Sequence, residues 1–126
     1  MKKLLFLLLL SSIIFYSCEE TESPELKDTT PPTVTITSPQ NNSTVSEIVT
    51  ITCMSSDNVG VEKVELWVGG VSTGVEDNSE PYSLEWNTTE FDDGEFTIVI
   101  RSYDESDNTT DSEPITLTVD NSQSYP

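Results

Sequence analysis

VEKVELWVGGVSTGVED, residues 61–77, places Val64, Leu66 and Val68 in alternation with Glu65 and Trp67. Successive side chains of a strand point to opposite faces, so this period of two describes a half-buried strand with the aliphatic residues inward. Gly69-Gly70 then supplies two adjacent residues that accept positive φ, the requirement of a two-residue hairpin, and a weaker strand over 71–75 returns from it.

The same period extends outward in both directions. Val34 and Ile36 alternate with threonines before a turn at Pro39, Asn41 and Asn42, and Val49, Ile51 and Cys53 face opposite to Thr50 and Thr52 until Asp57, Asn58 and Gly60. Downstream come Tyr82, Leu84 and Trp86, a turn over Asp92-Asp93-Gly94, then Ile98, Ile100 and Ser102, an acidic loop, and Ile115, Leu117 and Val119. About seven short strands with turns at this spacing predict an all-β, Greek-key sandwich of antiparallel strands and immunoglobulin size over residues 33–120, with 121–126 as a C-terminal tail. Cys53, on the second strand, faces Ile98, Ile100 and Ser102 rather than a second cysteine, and reads as a small buried hydrophobe.

Upstream, Lys2 and Lys3 precede an apolar run over 4–16 that ends at Ser17-Cys18 and meets Glu19 and Glu20. A spanning helix needs about 20 apolar residues, so the layout is that of a secretion signal over residues 1–17. The small residue before a cysteine resembles the lipobox of bacterial lipoproteins, in the relaxed form of Bacteroidetes, with Phe15 and Tyr16 departing from the usual pattern. That resemblance implies cleavage before Cys18 and lipidation of Cys18, with the membrane as partner through the anchor. Residues 18–32 then read as the lipidated cysteine and an acidic, flexible tether. Asp28-Thr29-Thr30 resembles the short O-glycosylation pattern of the same lipoproteins, implying modification at Thr29, and the acidic residues after Cys18 resemble their surface-export signal. The expected location is the cell envelope, as a surface-exposed outer-membrane lipoprotein.

Charge and composition narrow the chemistry. The net charge is −18, and beyond residue 17 only Lys27, Lys63 and Arg101 stand against 23 acidic side chains. Such a field repels nucleic acid and offers no phosphate-binding patch, so no nucleic-acid partner is expected. Histidine is absent, which removes Ser-His-Asp and Cys-His nucleophilic sites and most zinc sites. One small sandwich offers little depth for a carboxylate pair, so no catalysis is expected.

Two constellations remain. The loops after the second and sixth strands share one end of such a sandwich, bringing Asp57 and Asn58 toward Asp104, Asp107 and Asn108. Oxygen ligands of this kind suit calcium, the one candidate cofactor. Against it, DESDNTTDSEPI has Thr109 where an EF-hand loop needs glycine and Ile115 where it needs glutamate, and aspartate and asparagine are favoured in turns for their own sake. Separately, Trp67, Arg101 and Tyr103 fall out of phase with the core and share the outer face of the third and sixth strands, where they either stack a glycan, anchor a protein partner or simply brace the sheet.

Finally, PPTVTITSPQNNSTVSEIVTITCMSSDNVGVEKVELWVGG, EPYSLEWNTTEFDDGEFTIVIRSYDESDN and ITLTV resemble a bacterial immunoglobulin-like domain of surface enzymes and adhesins, over residues 31 to 119. The resemblance implies a seven-stranded non-catalytic module for binding, adhesion or spacing. Its alternatives are a carbohydrate-binding accessory of a glycan-uptake system and a calcium-binding surface module. Such domains usually occur in tandem or as accessories, whereas a single copy is expected to make up the mature chain here.

Overall fold

The computed structural model describes residues 26–122. The signal at 1–17, Cys18, residues 19–25 of the tether and the last four residues lie outside the described residues. Nine strands form: β1 (Thr33–Ser38), β2 (Ser43–Val45), β3 (Ile48–Ser56), β4 (Val61–Val68), β5 (Val71–Asp77), β6 (Tyr82–Asn87), β7 (Gly94–Asp104), β8 (Thr109–Asp111) and β9 (Ile115–Val119), with a 3-10 turn over Thr88–Glu90. One sheet has the order β1-β3-β6; the other runs β2-β9-β7-β4-β5, with β8 also paired to β7. Consecutive strands β3/β4, β5/β6 and β6/β7 lie in opposite sheets, which closes the sandwich.

The seven strands expected from the alternation are β1, β3, β4, β5, β6, β7 and β9. Two further strands of three residues each complete the second sheet. β2 pairs in parallel with β9, Ser43 opposite Leu117 and Val45 opposite Val119, and β8 pairs residues 109–111 with 101–103 of β7. β9 takes over along the same strand, pairing 115–119 with 94–98. Between them Ser112, buried, both donates its N–H to the Ile100 carbonyl (2.9 Å) and accepts the Ile100 N–H on its hydroxyl (3.0 Å). The last two strands are therefore one strand interrupted at Ser112–Pro114, with a serine keeping the ladder satisfied across the break.

The inward residues of both sheets form one core: Ile51 and Cys53 of β3, Val64, Leu66 and Val68 of β4, Tyr82, Leu84 and Trp86 of β6, Ile98 and Ile100 of β7, and Leu117 and Val119 of β9. Trp86 packs edge-on against Phe91 (centroids 5.4 Å apart) and Phe96 (5.8 Å), and those two rings meet each other at 5.4 Å. Phe91 follows the 3-10 turn and Phe96 lies on β7, so the triad fastens the edge strand β6 to the opposite sheet.

Cys53 is free and buried, and its thiol is pushed up to about 11, first by burial and then by the charge of Asp77. The polar link between the sheets falls two residues further along, where the Ser55 hydroxyl meets that of Ser102 at 2.7 Å. Ser55 also donates to the Thr33 carbonyl (2.7 Å), so this buried pair is satisfied within the protein.

Both ends of the domain extend past the expected limits. Asn121, assigned above to the tail, accepts the Glu47 N–H (2.8 Å) on its side-chain oxygen and donates to the Thr88 hydroxyl (3.2 Å), while its own N–H reaches Asp93 (2.9 Å). At the other end Lys27, Asp28 and Asn108 make contacts that draw part of the tether onto the sandwich.

Candidate functional site

The loop after β3 and the loop after β7 meet at one end of the sandwich, as their strand positions require. Asp57 caps its own turn, one oxygen accepting the N–H groups of Val59 (3.0 Å) and Gly60 (3.1 Å). Asp104, fully buried at the end of β7, organises the next loop: one oxygen accepts from the Ser106 and Asn108 N–H groups (2.8 and 2.9 Å), the other from the Asn108 side-chain amide (2.8 Å). Burial alone would raise its carboxyl, but the hydrogen bonds from Asn108 and Ser106 outweigh burial and hold it below the usual aspartate value.

A third carboxylate completes this corner, and it comes from the tether. Asp28 accepts the Thr30 N–H (3.0 Å) and the Asn58 side-chain amide (3.1 Å) on one oxygen, while its carbonyl accepts from Asn108 (2.9 Å). Carboxylate oxygens of Asp28, Asp57 and Asp104 all lie within 4.8 Å of one another. Of the five residues expected here, Asp57 and Asp104 thus face a common point, Asn108 donates its amide to Asp104, and Asn58 donates its amide to Asp28. Asp107 does not join: it is exposed, has left-handed backbone (φ 70°), and meets Asp104 only through its N–H to the Asp104 carbonyl (3.4 Å). Thr29, expected as a modification site, is exposed beside Asp28. Elsewhere the acidic turns serve their own backbone, Asp77 accepting from Ser79 and Ser83 N–H groups (3.2 and 2.9 Å).

Trp67, Arg101 and Tyr103 do share the outer face of β4 and β7, and Glu65 is the residue that joins them. Its carboxylate accepts from the Trp67 indole (3.1 Å), the Tyr103 hydroxyl and the Ser72 hydroxyl. Arg101 stacks over the Trp67 ring at 4.2 Å and pairs with Asp111 through two nitrogens (2.7 and 3.2 Å). Lys63 sits 4.8 Å over the Tyr103 ring and pairs with Glu76 at 2.9 Å. A sugar stacking on Trp67 from this side would have to displace an arginine anchored by a bidentate carboxylate. The sequence carried a signal for Glu65, since it shares the outward phase of Trp67, and for two of its donors, Trp67 and Tyr103, but not for Ser72.

Burial of Glu65 would raise its carboxyl, yet the hydrogen bonds from Ser72, Tyr103 and Trp67 together bring it below its ordinary value of 4.5. A group depressed in the folded state stabilises fully above its unfolded value and loses that contribution as the pH falls through the folded one. Glu65→Ala is therefore expected to cost about 2 kcal/mol at neutral pH, since three donors lose a charged acceptor near the surface. Glu65→Gln should flatten the decline in stability below pH 4.5. Urea melts of both variants across the acid range check this, and an unchanged acid slope in Glu65→Gln would count against the assignment.

Two sheets closed around a single core, with functional side chains confined to one loop end and one outer face, define an immunoglobulin-like β-sandwich. The sequence profile described as bacterial Ig domain matches residues 32–100, more than half of the chain, and the chain belongs to that family. No curated protein sequence matches it. Among solved structures it is similar to the fibronectin(III)-like modules of Clostridium thermocellum CbhA, at 25% identity and a TM-score of 0.60, over 77% of this chain and 51% of that one. It is also similar to the endo-beta-1,4-mannanase of Thermotoga petrophila, at 19% identity and a TM-score of 0.59, over 75% of this chain and 21% of that one. The chain spans about half the length of the first and a fifth of the second, and the likeness to the mannanase shows the fold alone.

Proposed function

We propose that this chain is a lipid-anchored immunoglobulin-like module of the bacterial cell envelope, a non-catalytic spacer or binding element carried outward on the acidic segment after Cys18. The observation that carries the reading is the different situation of the two cysteines. Cys53 is 6% exposed within the core, so its thiol is taken up by packing and is not offered to Cys18. Cys18, at the junction of an apolar run and an acidic segment, is then left for the chemistry that its neighbours resemble. Stable attachment needs more than one acyl chain, since each buried methylene contributes about 0.8 kcal/mol and one chain binds marginally. Among the described residues no helix is long and apolar enough to cross a membrane.

Absence of catalysis rests on the outer face. Its one buried carboxylate, Glu65, is held ionised by three donors, the opposite of what a general acid requires, and its aromatic rings are engaged by cations of the same face. The anchor is tested by growing cells with an alkynyl fatty acid and separating the phases of a detergent extract. The wild-type chain is expected to carry the label and enter the detergent phase, and Cys18→Ser to carry none; label retained on Cys18→Ser sinks the proposal.

A further inference from the structure

We propose that Asp28, Asp57 and Asp104 hold one calcium ion, and that this ion fastens the tether to the loop end of the sandwich. The observation is the fate of particular oxygens. In Asp28 and Asp57 one carboxylate oxygen is used by turn donors, whereas the other, Oδ2 of Asp28 and Oδ1 of Asp57, is withdrawn from solvent and has no hydrogen-bond partner. Burying such an atom without a donor costs free energy, and the two carboxylates that carry these atoms each bring an oxygen within 4.8 Å of one another and of Asp104.

Like charges at that separation repel, the more so away from water. The cations among the described residues are engaged elsewhere. Lys63 and Arg101 pair with Glu76 and Asp111 on the outer face, and Lys27 donates its ammonium to the Ser106 carbonyl at 2.7 Å. A cation from solution satisfies both orphaned oxygens and the charge at once.

The donors select its class. All are oxygen, with no imidazole or thiolate in the cluster, which favours a hard ion; carboxylates from three separate segments, the tether, the loop after β3 and the end of β7, suit calcium with water completing its six to eight ligands better than magnesium. Asn58 and Asn108 orient Asp28 and Asp104 from behind through their amides, as outer-shell partners do. Extracellular modules bind calcium at about 10⁻⁴ to 10⁻³ M, the range expected here. Because Asp28 belongs to the segment leading from the N-terminus, binding couples to its order: calcium holds residues 26–32 against the domain and, reciprocally, loss of Asp28 weakens calcium. The site involves residues 28–108 only and is independent of any lipid on Cys18.

The test uses the full chain in mild detergent, stripped with chelator and titrated with calcium chloride by calorimetry at physiological ionic strength. One saturable site per chain is expected, with a melting midpoint that rises with calcium and amides of Asp28–Thr30 that exchange more slowly in its presence. Asp28→Asn should weaken binding about tenfold or more without lowering the calcium-free midpoint, because it removes one of three mutually repelling carboxylates; Asp107→Asn, outside the cluster, should bind as wild type does. No saturable binding up to about 10 mM, several weak sites indifferent to Asp28→Asn, or equal affinity for magnesium would each overturn the proposal.

Discussion

Trp86→Ala is expected to cost about 3 to 5 kcal/mol, the range for truncating a large buried aromatic. Trp86 is 2% exposed and stands at the centre of the only three-ring cluster among the described residues, touching Phe91 at an interplanar angle of 74° and Phe96 at 81°. Edge-to-face pairs contribute about 0.5 to 1.5 kcal/mol beyond their area, and losing the shared ring removes two of the three pairs together. The remaining two rings come from different elements and have no means of collapsing into the space, so a cavity should persist. Domains of this size have total stabilities of about 5 to 15 kcal/mol, and the melting midpoint should fall by about 15 to 30 °C. Trp86→Phe separates packing from polarity. The Trp86 indole N–H has no hydrogen-bond partner, so phenylalanine gives up volume alone and should cost far less than alanine. Thermal melts of both variants decide the matter, and an alanine variant melting within a few degrees of wild type would show that β6 is held by something other than this cluster.

Which parts of this molecule were legible in its sequence follows from how far apart the interacting residues lie. Val64, Leu66 and Val68, or Tyr82, Leu84 and Trp86, declare their strand locally, because each strand is half-buried and its period of two needs no knowledge of a partner. Trp67, Arg101 and Tyr103 could be put on one face by the same phase argument. β2 and β8 could not be read: Ser43–Val45 and Thr109–Asp111 are too short to show a period, and they exist because β9 and β7 offer them backbone partners. Asp28 was hidden for a related reason. Its amide partners, Asn58 and Asn108, lie 30 and 80 residues away, and in the sequence it belongs to a polar segment that has every mark of a linker. Asp107 erred the other way, since its place in the DESDN turn suggested a ligand, while its left-handed backbone serves the turn and leaves its side chain in solvent.

The distribution of the few cations carries an argument about function. Lys63 and Arg101 are both spent bracing the outer face of β4 and β7 against aromatic rings and carboxylates, so the rest of the domain surface presents mainly acidic side chains. A long-range negative field of this kind resists adsorption to anionic polymers and lipids. That property suits a module expected to project from a membrane, and at the loop end it also concentrates divalent cations near Asp28, Asp57 and Asp104.

Replacing both residues of the β4–β5 turn by valine is expected to cost about 3 kcal/mol. Val68 pairs with Val71 and Trp67 with Ser72, leaving Gly69 and Gly70 as the two-residue loop, with φ of 61° and 83°. A Cβ built on either glycine meets nothing within 4 Å, so space is not the obstacle. The cost is conformational, about 1 to 2 kcal/mol for each residue forced into left-handed backbone, and higher for a β-branched side chain. The chain cannot evade it by slipping. A shift of one residue would turn Glu65 into the core and Val64, Leu66 and Val68 out of it, breaking the hydrogen bonds of Glu65 to Trp67, Ser72 and Tyr103. The Gly69 N–H, bonded to the Thr97 carbonyl at 2.8 Å, further ties the turn to β7. Gly69→Asn supplies the contrast, because asparagine enters left-handed backbone with little penalty, and should stay close to wild type. Urea unfolding of Gly69→Asn, Gly70→Val and the double valine variant gives the ranking. If Gly70→Val proves as stable as wild type, the turn does not depend on positive φ, and the hairpin must draw its register from the flanking pairs alone.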